Sequence, residues 1–134
     1  MSVRNYIQKY LNFIKYCQLP SGDFLNYVDQ ESHFTDQNKI VNLDDSNGRA
    51  IWALGYFIWL IDILPTKIIL EADRILAKSL HTFDRVHSTR AMAFAIKGLY
   101  YYHHTMKSAE NLLLIKTLAN RLVQMYKHES TREW

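Results

Sequence analysis

The sequence is poor in the residues that cross-link a chain or interrupt its secondary structure. It has one cysteine, two prolines and four glycines among 134 residues. A single cysteine, Cys17, cannot form an internal disulfide, which excludes a small disulfide-stabilised secreted fold. The first residues also lack the basic segment followed by an apolar stretch that marks a secretory signal. We therefore expect a cytoplasmic protein, and the scarcity of glycine and proline favours long helices.

Long apolar runs and a concentrated charge are missing as well. The longest apolar run, residues 50–61, is well short of the roughly 20 residues that cross a bilayer. The net charge is only +3 and is spread along the chain, so no basic face is indicated that could neutralise several phosphates. The expected partners therefore include neither nucleic acid nor a membrane. No glycine-rich phosphate loop, Gly-x-Ser-x-Gly elbow or His-Glu-x-x-His pair is present, and no cofactor is expected.

What the chain does contain is hydrophobic periodicity of the helical kind, in a composition typical of one globular domain over residues 1–134. The spacing predicts an all-α fold with five helices, at 3–18, 48–63, 67–83, 89–103 and 109–128. Helices 48–63 and 89–103 are apolar around most of their circumference, so we expect them to be inner helices covered on most sides. The other three carry an apolar stripe on one face, as expected of outer helices.

The two inner helices begin alike. Arg49-Ala50 and Arg90-Ala91 lie about 41 residues apart, which indicates an internal repeat of two-helix units. Such repeats form an open solenoid or a ring of αα-hairpins, because one hairpin cannot cover its own apolar face. The inner helices should then run parallel, with both N-termini at one rim of the array. The long connection that ends at Asn47 should lie at the same rim, as a binding edge or lid.

Three segments carry a resemblance to a known family. Residues 42–56, with Asp-Ser-Asn-Gly-Arg-Ala-Ile-Trp-Ala-Leu-Gly, resemble the Asp-Ser-x-Gly-Arg-Ala-Leu-Trp-Ala-Leu-Gly signature of bacterial helical-ring domains related to six-hairpin glycosidases. Residues 21–26 look like the Gly-x-Phe-x-Asn loop of that family, and residues 88–95 like its Ser-Pro-Arg-Ala-x-Ala-Phe-Ala helix start. The resemblance implies a partial (α/α) toroid of about two and a half hairpins. It also implies a carbohydrate-related setting, since these domains are often joined to or encoded near glycosyltransferases.

The sequence departs from this family pattern at several points. Asp44 stands where the family has Glu, and Thr89 stands where it has Pro. Trp134 falls where the family has a tryptophan-rich acidic segment, and the sequence ends before the hairpins that would complete a ring. We therefore expect a fragment or a short member of the family.

Asp44 and Asp45 are the candidate catalytic residues. At the start of an inner helix they could cap free backbone N–H groups. Alternatively, one of them could bind sugar hydroxyls or act as a general acid or base. A glycosidase needs two carboxyl groups roughly 5 to 9.5 Å apart, a separation that adjacent residues seldom meet. The sequence does not select the second carboxylate among those of the long connection, which are Asp23, Asp29, Glu31 and Asp36.

The candidate substrate-binding residues are Asp23, Arg49, Trp52 and Arg90. A positive charge near the N-terminus of a helix opposes the helix dipole, so each arginine needs a compensating partner. The partner could be a carboxylate of Asp44, Asp45 or Asp84 in an ion pair, or an oxygen of a bound ligand. Trp52 could belong to the core or could stack on a sugar ring.

Two further features are expected to be structural. The run of residues 100–104, with three tyrosines and two histidines, suggests no metal site, because consecutive residues point in different directions around a helix. Cys17 lies on an apolar stripe and should be an inert core thiol.

The sequence thus supports two hypotheses of function. The first is a carbohydrate-related toroid domain that binds a saccharide at the N-terminal rim of the inner helices and is not a complete enzyme. The second is a non-catalytic helical scaffold or assembly module, in which Arg49→Ala would lower stability by a few kcal/mol, as loss of one partner of a buried pair does. In both cases uncovered apolar surface on the inner helices should lead to self-association, or to packing against the remaining hairpins of a larger protein.

Overall fold

The computed structural model describes residues 2–130, and within that range the chain is helical with no β-strand. This confirms the all-α class. The helices are α1 (Val3–Cys17), α2 (Gln37–Ile40), α3 (Asp44–Trp59), α4 (Thr66–Ser79), α5 (Thr89–Thr105) and α6 (Ala109–Glu129), with a 3₁₀ helix at Leu80–Arg85. Trp134 lies outside the described residues. None of the described helices combines the length and the apolar character needed to pass through a bilayer.

Three predicted helix boundaries are wrong. Helix α3 ends at Trp59 rather than at residue 63, and local polar side chains explain the other two. Helix α3 begins at Asp44 rather than at residue 48, because the Asn42 side chain accepts the Asp44 backbone N–H at 2.7 Å and starts the helix earlier. Helix α4 ends at Ser79 and continues as a 3₁₀ helix past residue 83. There the hydroxyls of Ser79 and Thr82 donate to the carbonyls of Leu76 and Ser79, each at 2.7 Å, in competition with the regular helical pattern.

Helices α3 and α5 run parallel in backbone contact, as the internal repeat predicts. Gly48 faces Ala91 at one end, and Gly55 faces Gly98 further along. A side chain at any of the three glycines would collide with the backbone of the neighbouring helix. The small residues therefore set the distance between the two helices, and the N-termini of α3 and α5 lie at the same rim.

The remaining helices cover the pair from one side. Helix α4 packs on α3 and on α1, whereas α6 packs on α5, so outer and inner helices alternate along the chain. The opposite side of the α3–α5 pair is open. The expectation that the inner helices are covered on most sides is wrong there, since exposed residues lie on both helices, namely Arg49, Tyr56, Trp59, Arg90, Lys97 and Tyr100.

Half of the predicted apolar stripe of α1 is also exposed. Leu11 and Cys17 are buried, and Ile7 and Ile14 pack against the core. The other members of the stripe are exposed to solvent: Val3, Tyr6, Tyr10 and Phe13. A periodic stripe predicts a helix, but how much of its width is covered depends on the neighbouring helices, and here α4 covers only one edge.

The connection between α1 and α3 is more ordered than a long loop. It contains two tight turns, closed by isolated antiparallel bridges between Gln18 and Phe24 and between Val28 and Phe34, and then the short helix α2. Gly22 has a φ of 97°, and a side chain there would collide with the Lys78 carbonyl, so the first turn requires glycine. The connection therefore forms a fixed edge at the rim of the inner helices.

Candidate functional site

The rim is held together by a buried asparagine. The Asn47 side chain accepts the Phe24 backbone N–H at 2.8 Å and donates to the carbonyls of Phe24 and Leu43 at 2.9 and 2.8 Å. Phe24 and Asn47 are both buried. Asn47 thus fixes the first turn of the connection to the first turn of α3. Sequence reasoning missed this role, because nothing in the local pattern pairs residue 24 with residue 47.

A cleft between the connection and the start of α3 contains two of the predicted residues. We call it the rim cleft. It has a volume of about 340 Å³, and its polar lining includes Asp23, Asp44, Asn47 and Arg85. The Arg85 guanidinium lies 3.4 Å from a carboxylate oxygen of Asp23. Of the four loop carboxylates considered as partners for Asp44, only Asp23 lines this cleft.

Asp45 does not line the rim cleft, and it forms an ion pair with Arg90. It also accepts a hydrogen bond from the Ser88 hydroxyl at 3.2 Å, and the same hydroxyl accepts the Ala91 N–H to cap α5. Asp45 therefore joins the start of α3 to the start of α5. The capping alternative for Asp44 and Asp45 is not realised, because Leu43 is the N-cap of α3 and the side chain that accepts a free N–H of the first turn is that of Asn42. Both carboxylates lie in the first turn of α3, where they still interact favourably with its dipole.

Arg49 has a different partner from the one expected. Within residues 2–130 it forms no ion pair, and its guanidinium carbon lies 5.4 Å from the centre of the Phe94 ring. The expected ion pair thus exists for Arg90 but not for Arg49. The reason is that α3 begins at Asp44, which places Arg49 in the second turn and on the open face.

Trp52 lies at the interface between the inner helices. Its ring stacks on Phe94 with centroids 5.5 Å apart and an interplanar angle of 12°. The ammonium group of Lys97 lies 3.9 Å from the centre of the Trp52 ring, in a cation–π contact. Trp52 is half-buried, so it packs within this interface and also reaches the open face.

The open face contains a groove with aromatic walls, which we call the aromatic groove. It is about 340 Å³ in volume and is lined by Arg49, Trp52, Ala53, Tyr56 and Tyr101. Tyr101 meets the ring of Tyr56 edge-on at 5.4 Å, so α3 and α5 each contribute one wall. Sequence reasoning assigned Arg49 and Trp52 to a site but missed the two tyrosines, because only the parallel packing brings them together.

A small polar pocket adjoins the aromatic groove. We call it the loop pocket. Its volume is about 220 Å³, and it is lined by Asn26, Tyr27, Asn42, Leu43, Asp45, Ser46 and Arg49. It shares Arg49 with the aromatic groove and Leu43 with the rim cleft. The three depressions are therefore neighbours along the rim and the open face, and together they contain every predicted site residue except Arg90.

A larger depression lies elsewhere and contains no predicted site residue. This outer groove, of about 760 Å³, is bordered by residues of α4, the 3₁₀ helix, the end of α5 and α6. Tyr102 lies in its wall and donates a hydrogen bond of 2.6 Å to Asp73 of α4. Burial, together with the nearby Asp73 carboxylate, raises the pKa of Tyr102, so this hydroxyl stays protonated at physiological pH. The position of Tyr102 is therefore explained by this hydrogen bond, which links α5 to α4.

Two other groups of side chains that could be reactive or bind a metal have structural roles instead. Burial raises the pKa of the Cys17 thiol, which keeps it protonated and unreactive. Asp29, Glu31 and His33 lie close together on the surface of the second turn. The Asp29 carboxylate accepts the backbone N–H groups of His33 and Glu31, and these bonds lower its pKa. The carboxylate therefore stabilises the turn itself.

The geometry is thus a rim cleft, a loop pocket and an aromatic groove, arranged around the N-terminal halves of two parallel helices. Comparisons of this chain with protein-family models, with curated proteins and with solved structures found no match.

Proposed function

We propose that this chain is a carbohydrate-related helical module that binds a saccharide on the open face of its inner helices and is not a complete glycosidase. The observation that carries the proposal is the adjacency of the aromatic groove and the loop pocket, which share Arg49. Sugar rings offer an apolar face for stacking on aromatic side chains and hydroxyl groups for hydrogen bonding. The aromatic groove supplies aromatic rings, and the loop pocket supplies amide and hydroxyl groups.

The arrangement favours binding over turnover. Asp45 is committed to Arg90 and Ser88, which leaves Asp44 and Asp23 as the candidate carboxylates. Both of these line the rim cleft, whereas the aromatic rings that would hold a sugar line the aromatic groove. A glycosidic bond held on those rings would therefore lack a pair of carboxylates across it. Membership of a larger (α/α) toroid of six-hairpin glycosidase type, in the cytoplasm, remains part of the same proposal.

The test is a saccharide titration followed by NMR. Neutral gluco- and manno-oligosaccharides are added to the nitrogen-15-labelled chain, and the amide resonances are assigned. We expect shifts in Arg49, Trp52, Tyr56 and Tyr101 that saturate with ligand. Tyr56→Ala should weaken binding about fivefold, because it removes one stacking surface worth roughly 1 kcal/mol.

A matched control separates binding from general effects on the surface. Tyr56 is 41% exposed, and Tyr126 of α6 is 44% exposed on a different helix. Tyr126→Ala should therefore leave the titration unchanged. If no oligosaccharide moves a resonance on the open face, or if both variants bind equally well, the proposal fails.

The second candidate function is a helical scaffold or assembly module. The observation that favours it is the bridge between Asp45, Ser88 and Arg90, which joins two helix starts without any ligand. Because Arg49 is exposed and, within residues 2–130, makes a cation–π contact with Phe94 and no ion pair, Arg49→Ala should lower the free energy of unfolding by less than about 1 kcal/mol, not by a few. A stable Arg49→Ala protein that has lost saccharide binding would contradict the scaffold function.

A further inference from the structure

The outer groove has no role in the saccharide proposal. Leu80, Met106 and Leu114 line it, and all three also pack against the core. Its volume of about 760 Å³ lies within the range of roughly 300 to 1,000 Å³ that is usual for small-molecule sites. The groove therefore combines the size of a ligand site with an apolar lining that is continuous with the core.

One polar group in this lining has no partner. Asn111 is only 5% exposed, and its backbone N–H donates to the Ser108 hydroxyl oxygen at 3.0 Å. Its side-chain nitrogen donates to the Met106 carbonyl, also at 3.0 Å. Its side-chain oxygen, Oδ1, accepts no hydrogen bond within residues 2–130. The buried Asn47, in contrast, uses both ends of its amide.

The unpartnered oxygen of Asn111 is open to the groove. In the part of the chain that the structure describes, the Thr35 hydroxyl oxygen is the one side-chain atom that is sealed from solvent without a hydrogen-bond partner. Oδ1 of Asn111 is therefore reached by solvent, and the groove that Asn111 lines provides the access. A largely buried acceptor is costly to leave unpaired, so an N–H or O–H group of a ligand would be stabilised at this point.

The other polar groups of the groove do not compete for this role. The Thr117 hydroxyl donates to the Leu113 carbonyl at 2.9 Å, and the Tyr102 hydroxyl donates to Asp73. The ionisable residues of the lining other than Tyr102 are exposed to water and include both signs of charge: His81, Asp84, Lys107 and Glu110. Charges of opposite sign offset one another, so the groove favours a neutral ligand over an ion.

We propose that the outer groove binds a neutral, largely apolar small molecule that donates one hydrogen bond to Oδ1 of Asn111. An aromatic N–H or O–H group, as in an indole or a phenol, matches both parts of the site. The ring would pack on Leu80, Met106 and Leu114, and thioether sulfur packs favourably on aromatic rings. The groove lies among the outer helices, on the side of the molecule away from the open face, so this proposal does not depend on the saccharide proposal.

The experiment is an NMR titration of the nitrogen-15-labelled full chain with two probes. Indole has an N–H donor, and 1-methylindole has nearly the same shape without one. We expect indole to shift the amide resonances of Met106, Asn111 and Leu113 in a saturable manner and to leave those of Arg49 and Tyr56 unchanged. The groove has room for the additional methyl group, so 1-methylindole should bind there about fivefold more weakly, through loss of one hydrogen bond.

Three variants separate the acceptor from the apolar lining. Asn111→Ala removes Oδ1, so the two probes should bind this variant with equal affinity. Leu113→Ala truncates a residue that lines the groove and is 65% exposed, and it should weaken both probes by the same factor. Leu112→Ala is the matched control on the same helix, because Leu112 is 39% exposed and does not line the groove. It should bind both probes as the native chain does.

Four results would overturn the proposal. They are the absence of saturable shifts around the groove, equal affinity of the native chain for the two probes, equal losses in Leu113→Ala and Leu112→Ala, and a preference for indole that persists in folded Asn111→Ala. Circular dichroism checks that each variant is folded. If Asn111→Ala does not fold, the comparison of the two probes on the native chain decides whether the acceptor is used.

Discussion

Asn47 shows how a single side chain determines the geometry of the candidate site. It provides one acceptor and two donors to backbone groups of Phe24 and Leu43, and it is itself buried. A buried backbone N–H or C=O group has been removed from water. If it then loses its hydrogen-bond partner, the loss of stability is larger than the net free energy that a typical hydrogen bond contributes. The position of the first loop turn, and therefore of Asp23 in the rim cleft, depends on this residue.

We expect Asn47→Ala to lower the free energy of unfolding by about 2 to 3 kcal/mol, since it leaves the Phe24 N–H and carbonyl unpaired. Urea denaturation followed by circular dichroism measures the change. Asn120→Ala, at an exposed position of α6, is the control and should change stability by less than about 0.5 kcal/mol. Equal effects of the two substitutions would show that the Asn47 bonds do not hold the rim.

At the scale of helices, the decisive contact is the backbone approach of α3 to α5. Glycine in a helix interior normally costs about 1 kcal/mol relative to alanine, and this interface contains three glycines. The cost is offset by close packing, because the small residues allow the two backbones to touch. The same approach places Trp52 on Phe94 and Tyr56 against Tyr101.

We therefore expect Gly55→Ala to destabilise the chain, although alanine is the better helix former. A Cβ at position 55 would overlap the backbone of Gly98, so the helices would have to separate, at a cost of about 2 kcal/mol or more. Gln124→Ala, at an exposed site of α6, should be neutral or slightly stabilising. The measurement is the midpoint of thermal unfolding. An unchanged or higher midpoint for Gly55→Ala would contradict the contact between α3 and α5.

At the scale of the whole molecule, the open face of the inner helices is the main surface on which aromatic side chains are left uncovered. Outer helices cover the α3–α5 pair from one side, and the aromatic residues Tyr56, Trp59 and Tyr100 remain exposed on the other. Contiguous exposed aromatic surface of this kind usually has a partner. In a longer protein further helical hairpins could cover it, and in this chain a second copy could do so through the end that carries Trp59.

We expect concentration-dependent self-association that Trp59→Lys reduces, because a lysine at this position introduces repulsion between two copies. Sedimentation velocity over a wide range of concentrations tests this. Gln124→Lys adds the same charge on α6 and should leave the association unchanged. A native chain that remains monomeric throughout would contradict the expectation and would leave the open face available to a ligand.

The sequence by itself determined the all-α class, the approximate positions of five helices and the parallel direction of the inner pair. Those features depend on periodicity, on the repeated Arg-Ala start and on the scarcity of glycine and proline, all of which are local or regular patterns. The sequence also identified Asp23, Asp44, Arg49 and Trp52 as candidate site residues. The structure places the first two in the rim cleft and the other two in the aromatic groove, and the loop pocket adjoins both.

Only the tertiary structure decided which partner each residue has. Asp45 binds Arg90 and not Arg49, and Asn47 binds Phe24 across 23 residues of chain. The packing of α4 leaves half of the α1 stripe exposed. These outcomes depend on distances between segments that are far apart in sequence, and a hydrophobic period contains no information about them. The physical reason is that a period specifies which face of a helix is apolar, whereas burial requires a second surface to cover that face.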